Sequence, residues 1–224
     1  MTKLTLRFTK MHGAGNDFIV LDGLSQDLSQ VTKDQWVKLA HRQFGIGADQ
    51  ILLVEKPTVP GAEFRYRIFN SDGSEVEQCG NGSRCFVRFV REKGLTTNKT
   101  VKVQVAHTIL SLTETNDGQV VVNMGAPILT PADIPFVDSG LNSKVEGSTT
   151  LHELPLSNGS AWISAVSMGN PHAVQIVKDV DQAPVKAMGA EIEKHSAFPK
   201  KVNAGFLQIL NRNEIKLQIG RAHV

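Results

Sequence analysis

Two short segments of the chain echo each other, and they constrain the fold more than any other feature. Residues 11–22, "MHGAGNDFIVLD", and residues 168–179, "MGNPHAVQIVKD", each give Met, a Gly-Asn step, a polar residue or two and an apolar strand. Such an echo predicts two copies of one αβ unit facing each other. A pseudo-symmetric pair suits approach to a single carbon from opposite sides.

The bulk properties are compatible with that arrangement. A length of 224 residues accommodates two small domains or one large one, and 41% hydrophobic content supplies a packed core. Net charge is +2 and there is no polybasic run, so nucleic acid is not an expected partner. No apolar run approaches the ~18 residues a membrane span needs. The opening "MTKLTLRFTK" has neither an h-region nor a cleavage site. Two cysteines do not make a disulfide framework. A soluble, reduced, cytoplasmic protein with no membrane partner is expected.

Strand signals dominate. They cover 4–10, 18–22, 51–55, 64–70, 101–105, 109–115 and 119–124, and Asn116-Asp117-Gly118 joins the last two as a hairpin turn. Three segments read as helix: 33–44, 82–93 and 184–195. In the second, Cys85, Phe86, Phe89 and Val90 share one face while Arg84, Arg88, Arg91 and Glu92 take the rest. Gly94 sits where a C-terminal cap belongs. Residues 126–160 are rich in Pro, Ser, Asn and Gly and show no sustained period. The boundary between halves is placed at their leading edge, giving 1–125 and 126–224.

The chemistry concentrates in "NSDGSEVEQCGNGSRC", residues 70–85. Cys79 precedes a helix N-terminus on glycine-rich backbone, where unpaired N–H groups and the helix dipole favour a thiolate. The same N–H groups are free to approach an anion. Zinc is disfavoured, since Cys79 and Cys85 are six apart and nothing else clusters with them. Cys85, on the apolar helical face, reads as inert core. Three readings stay open for Cys79: an inert cysteine, a nucleophile served by His12 or His172, or a general base acting on carbon. "GAGNDF" (13–18) has Phe18 in place of the third glycine and opens a strand, so it fails the dinucleotide context. No lysine stands out for pyridoxal phosphate.

Taken together, "KMHGAGNDFIVLD", "GADQILLVE", "YRIFNSDGSEVEQCGNGSRCFVRFV", "VSMGNPH" and "NAGFLQI" resemble the diaminopimelate epimerase family, in order and over nearly the whole chain. The resemblance implies an α+β fold of two pseudo-symmetric αβ rolls, each a sheet around a central helix, with the site in the cleft between them. It implies a cofactor-independent isomerase, without a metal, that interconverts LL- and meso-diaminopimelate for lysine and peptidoglycan precursor synthesis. One cysteine from each half flanks the substrate α-carbon, one as thiolate base and the other as thiol acid. By resemblance Cys79 is the catalytic cysteine of the first half, and Gly80 and Asn81 contact substrate. Asn16, Gln50, Asn70, Asn170 and Asn203 match substrate-binding positions, and His172 matches a histidine that tunes the cysteines. Family members are often dimers, so a homodimer is the partner state implied. Read singly, Asn16, Asn70, Asn81 and Asn170 pass as turn residues, Gln50 as surface, and His172 as a satisfied core or surface histidine. Glu75 and Glu77 read as solvated charges.

The pattern breaks near the end. The interval from Asn16 to Cys79, 63 residues, added to Asn170 lands about nine residues past Val224. Where the family has a Glu-Arg-Gly loop and a second cysteine motif, this chain has "GRAHV" (220–224). The second half is therefore expected to lack its central helix and to expose the apolar inner face of its sheet. Epimerisation by this chain is expected to be absent or nearly so. The rival readings are a non-catalytic fragment that binds the amino acid or another chain, and a proline-racemase-like enzyme on the same scaffold.

Overall fold

The computed structural model describes residues 5–76, 79–106 and 108–219, in two compact units, Met1–Gly125 and Ala126–Val224. Glu77 and "GRAHV", singled out above, lie outside the described residues.

In the first unit, β1 (Thr9–Gly13) and β2 (Asn16–Asp22) form a tight hairpin through Ala14 (φ 50°) and Gly15 (φ 87°). Positive φ at both loop positions is what a two-residue hairpin requires. Helix α1 (Lys33–Ala40) then crosses over to β3 (Gln50–Glu55), which lies parallel to β2. Next come β4 (Phe64–Asn70), β5 (Glu75–Val76), helix α2 (Gly80–Glu92), β6 (Thr100–Gln104), β7 (Ile109–Glu114) and β8 (Val120–Val122). Their order in the sheet is β1-β2-β3-β4-β6-β7-β8, with β5 beside β4. Helix α2 touches β1, β2, β3, β7 and β8. Strands from both ends of the order meet one helix, so the sheet curls around it.

β2 and β3 are buried on both faces, which is why they read as unbroken apolar runs rather than alternating ones. Phe18, Val20, Leu52 and Val54 pack with Phe86, Phe89 and Val90 of α2. Ile19, Leu21, Ile51 and Leu53 face the other way and pack with Trp36 and Ala40 of α1. A reciprocal capping box opens α1: Gln35 N donates to Thr32 Oγ1 (3.4 Å) and Thr32 N donates to Gln35 Oε1 (2.8 Å). The C-terminus of α2 is a Schellman arrangement, with Leu95 N bonding Val90 O, Gly94 N bonding Arg91 O, and Gly94 at φ 67°.

The second unit contains β9 (Ser143–Glu146), β10 (Thr149–Leu156), β11 (Gly159–Ser167), β12 (Pro171–Ile176), helix α3 (Val185–Glu193), β13 (Asn203–Asn211) and β14 (Glu214–Ile219). The sheet runs β14-β13-β12-β11-β10-β9. β11 and β12 are antiparallel, α3 crosses over, β13 is parallel to β12, and β14 is antiparallel to β13. That sequence of directions repeats β1-β2-α1-β3-β4. The echo between residues 11–22 and 168–179 therefore marks two hairpins that begin equivalent crossovers. The core of this unit joins Ala173, Ala204 and Phe206 to Ile192 of α3, with Phe136 stacked on Phe198 at 4.7 Å. The whole is a mixed α+β fold with few helices and curled sheets.

Four expectations need correction. Among the described residues the first strand runs from Thr9 to Gly13, and 5–8 of the expected 4–10 are not strand. Helix α1 stops at Ala40 rather than 44, because His41 turns extended and its Nδ1 accepts Gln43 N and Phe44 N, both at 3.1 Å. The stretch 126–160 contains β9, β10 and the start of β11. Glu75 is not a free solvated charge: it takes a two-pronged ion pair from Arg67, 2.7 and 2.8 Å. No helix among the described residues is long and apolar enough to cross a membrane.

Candidate active site

In the first unit the predicted residues gather at one end of the sheet, on the side that α2 covers. Asn16 begins β2, Gln50 begins β3, and Asn70 ends the antiparallel β4, with Gln50 opposite both Phe18 and Asn70. Cys79 is the N-cap of α2, in extended backbone (φ −146°, ψ 109°). Its Sγ accepts from Gly82 N at 3.4 Å, and its carbonyl accepts from Ser83 N at 2.9 Å and Ser83 Oγ at 3.1 Å. An amide aimed at sulfur strengthens its bond when the sulfur carries charge. Gly80 is the first residue of α2, beside Met124.

Side-chain amides link these positions. Asn81 Nδ2 donates to Asn16 Oδ1 at 2.7 Å, and Asn16 Nδ2 donates to Asp49 Oδ2 at 3.4 Å. Gln50 Nε2 donates to Asn70 Oδ1 at 2.9 Å, and Asn70 Nδ2 donates to Ser74 Oγ at 3.2 Å. Gln50 Oε1 is buried without a hydrogen-bond partner among the described residues. A buried acceptor of that kind is costly unless something fills it.

Behind the amides stands an ion network that sequence reasoning missed. Arg42 donates to both oxygens of Asp17 (3.0 and 2.8 Å) and to Asp49 Oδ1 (2.8 Å), while Lys10 adds a 2.9 Å contact to Asp17. The Arg42 guanidinium holds the Asp17 carboxyl well below the usual carboxylate range, against an opposing burial effect. Asp17 and Asp49 in turn raise Arg42. Arg84, one turn into α2, donates to Asn81 Oδ1. Asp17 beside Asn16 and Asp49 beside Gln50 were visible in the sequence, but only the parallel β2–β3 pairing brings them together.

The two cysteines occupy different environments. Cys79 is half-buried, whereas Cys85 is 4% exposed within the apolar cluster. Burial pushes the Cys85 thiol up to about 11, so it stays protonated at neutral pH. Tyr66 is raised above its ordinary value by burial and then by the nearby Cys79 and Cys85. Its hydroxyl comes so close to α2 that a Cβ on Gly82 would lie 2.1 Å from Oη, so only glycine fits there.

In the second unit Asn170, His172 and Asn203 meet at the heads of β12 and β13, where His172 lies opposite Asn203. His172 Nε2 donates to Asn170 Oδ1 at 3.0 Å, since an amide oxygen only accepts. Asn203 Nδ2 donates to Pro171 O at 3.0 Å. Burial lowers the His172 imidazole below its ordinary value and so favours the neutral ring. Among the described residues, no three His, Cys, Asp or Glu side chains cluster in a way that would hold a metal ion.

The fold is shared with solved racemases and epimerases. A probable proline racemase from Agrobacterium radiobacter superposes with a TM-score of 0.65 at 15% identity, over 96% of this chain and 70% of that one. A hydroxyproline epimerase from Agrobacterium vitis gives 0.62 at 14%, over 95% and 69%. At that identity the likeness shows the fold alone. A family model described as diaminopimelate epimerase matches residues 8–130 and 164–223. Diaminopimelate epimerases of Burkholderia ambifaria and Paraburkholderia xenovorans are 58% and 57% identical over 216 residues, covering 96% of this chain and 75% of each relative. The chain belongs to the diaminopimelate epimerase family, a family of isomerases.

Proposed function

We propose that the first unit performs proton transfer at the α-carbon of diaminopimelate, with Cys79 as the thiolate base. The observation that carries this reading is the Gly82 N–H aimed at Cys79 Sγ, beside a cluster of side-chain amides. Asn16, Gln50, Asn70, Asn81 and the backbone at Gly80 bind the amino-acid groups, with the unfilled Gln50 Oε1 receiving an ammonium or amine donor. Neutral amides suit a substrate with an amino-acid head at each end, and they reject analogues by leaving buried polar groups unpaired. Asn170 and Asn203 are assigned to substrate binding, and His172 to tuning the cysteine chemistry. Residues 1–125 and 126–224 act as two functional halves of a cytoplasmic enzyme serving lysine and peptidoglycan precursor synthesis, with a homodimer as its assembly.

Two-base epimerisation needs a proton donor on the face opposite the base. The two thiols of this sequence, Cys79 and Cys85, both belong to the first unit. The 224-residue polypeptide is therefore expected to exchange the α-proton of one stereoisomer with solvent, and not to interconvert the isomers. Incubation with LL- and meso-diaminopimelate in heavy water, read by mass spectrometry and chiral separation, tests this. Rapid interconversion would refute the single-base account. Binding without exchange would refute Cys79 as the base.

A further inference from the structure

Gln50 Oε1 is buried without a hydrogen-bond partner among the described residues. A side-chain amide has an accepting end and a donating end of nearly the same shape. Turned over, Gln50 would offer an NH2 group at the same point, and the group it met there would have to be an acceptor. The residues that fix the direction of this amide therefore decide which class of group fits against it.

That direction is set from the turn between β4 and β5. Asp72 Oδ1 accepts Ser74 N at 2.8 Å and lies 2.5 Å from Ser74 Oγ. A carboxylate only accepts, so the hydroxyl proton of Ser74 lies between the two oxygens. With its single proton committed, Ser74 Oγ can only accept, and the Asn70 atom 3.2 Å away is the amide nitrogen. Asn70 Oδ1 is then turned toward Gln50, and the Gln50 atom 2.9 Å from it must be the donor Nε2. Oε1 is the end left over.

The turn is held firmly. Asn70 N bonds Ser74 O at 2.8 Å and Gly73 N bonds Asn70 O at 2.9 Å. Gly73 has φ 73°, and a Cβ there would lie 2.8 Å from Lys33 Cγ and 3.1 Å from Val37 Cγ2 of α1. The Asp72 bond to Ser74 N is enough to close a turn of this kind. The two bonds at Ser74 Oγ are additional, and they lead to the site. We propose that Asp72 and Ser74 are positioning residues that orient the Asn70 and Gln50 amides so that a bare acceptor is presented. It selects an ammonium or other N–H donor, since a carboxylate oxygen there would set two acceptors face to face. The selection rests on the amide cluster being the diaminopimelate site; the order of the hydrogen bonds does not.

NMR of the isotopically labelled 224-residue protein reads each bond's direction, as a coupling from donor nitrogen to acceptor carbonyl carbon. Coupling from Gln50 Nε2 to Asn70 Cγ is expected; coupling from Asn70 Nδ2 to Gln50 Cδ would overturn the proposal. Ser74→Ala and Asp72→Ala are expected to broaden or double the Gln50 side-chain amide signals. Ser74→Thr, which keeps the hydroxyl, and Ser71→Ala, at an exposed neighbour, should leave one sharp set. Calorimetry then compares diaminopimelate with pimelate, which keeps both carboxylates and lacks both ammonium groups. The preference for diaminopimelate should narrow about tenfold in Ser74→Ala and recover in Ser74→Thr. Gln50 signals indifferent to both alanine variants would overturn the proposal, and so would altered signals with an unchanged preference. Wild-type protein that binds no diaminopimelate would refute the binding reading of this unit, while the couplings still decide the hydrogen-bond order.

Discussion

Gly82→Ala is the sharpest perturbation the structure offers. The added Cβ would stand 2.1 Å from Tyr66 Oη, far inside van der Waals contact, while Leu52 Cδ2 and Tyr66 Cζ both lie at 3.4 Å. The tyrosine has little room to retreat. It is 2% exposed, and its ring centroid lies 4.9 Å from that of Phe86. Overpacking a filled core costs about 1–3 kcal/mol, and replacing glycine by alanine in a helix returns at most about 1 kcal/mol. A net loss of roughly 1–2 kcal/mol lowers the melting temperature of a unit this size by roughly 4–8 °C.

The same reasoning fixes a control. Tyr66→Phe removes Oη and leaves only the ordinary contact at 3.4 Å. Gly82→Ala should therefore cost almost nothing in the Tyr66→Phe background, giving a coupling of about 1–2 kcal/mol across the cycle. Urea denaturation of the four proteins, followed by circular dichroism, measures it. Because Gly82 N also donates to Cys79 Sγ, the single variant should change the rate at which a disulfide reagent labels Cys79. Strict additivity, with equal penalties in both backgrounds, would show that the close approach of Tyr66 to α2 is not what excludes a side chain.

Three further outcomes follow from the same site. Asp49→Asn keeps shape but weakens the anchor shared by Arg42 and Asn16, and should weaken diaminopimelate binding about tenfold in calorimetry while costing under about 1 kcal/mol of stability. Cys85→Ser places a hydroxyl in an apolar cluster and should cost about 1–3 kcal/mol in urea denaturation, with α-proton exchange retained. For His172 the folded state favours the neutral ring, so the stability of the second unit is fully present above the ordinary value of 6.5 and falls as pH drops below it toward the depressed folded value. His172→Gln should flatten that part of the stability profile; an unchanged slope would assign it to another group.

Helix α2 was legible because its signals agree: an apolar stripe, arginines on the other face, Gly-Asn-Gly at the start and Gly94 at the stop. The Asp117-Gly118 hairpin was legible for a similar reason, with Gly118 in the positive-φ conformation (77°) that such a turn demands. β11 was hidden although its burial alternates cleanly. Its inward positions include Ala161, Ala165 and Ser167, too small to register as a hydrophobic period. The end of α1 was hidden because residues 41–45 keep helix-compatible composition while Gly45 folds back onto the helix terminus, its amide bonding His41 O. In the site, the residues on strand ends and at the α2 N-cap came from the family resemblance. Arg42 came from neither route, because its role depends on two carboxylates that a crossover brings side by side.

That arrangement explains how an amide-rich site tolerates charge close behind it. Asp17 and Asp49 share the Arg42 guanidinium and Asp17 also pairs with Lys10, so two cations balance the two carboxylates beside Asn16. An unpaired carboxylate there would disfavour a thiolate at Cys79 and compete with a substrate carboxylate for the same amides. Hydrogen bonds carry orientation forward instead of charge. Arg42 fixes Asp49, Asp49 fixes the amide of Asn16, and the Asn16 oxygen receives Asn81, two residues past the N-cap cysteine. A charged layer thus sets the direction of the neutral amides that lie beside the α2 N-terminus.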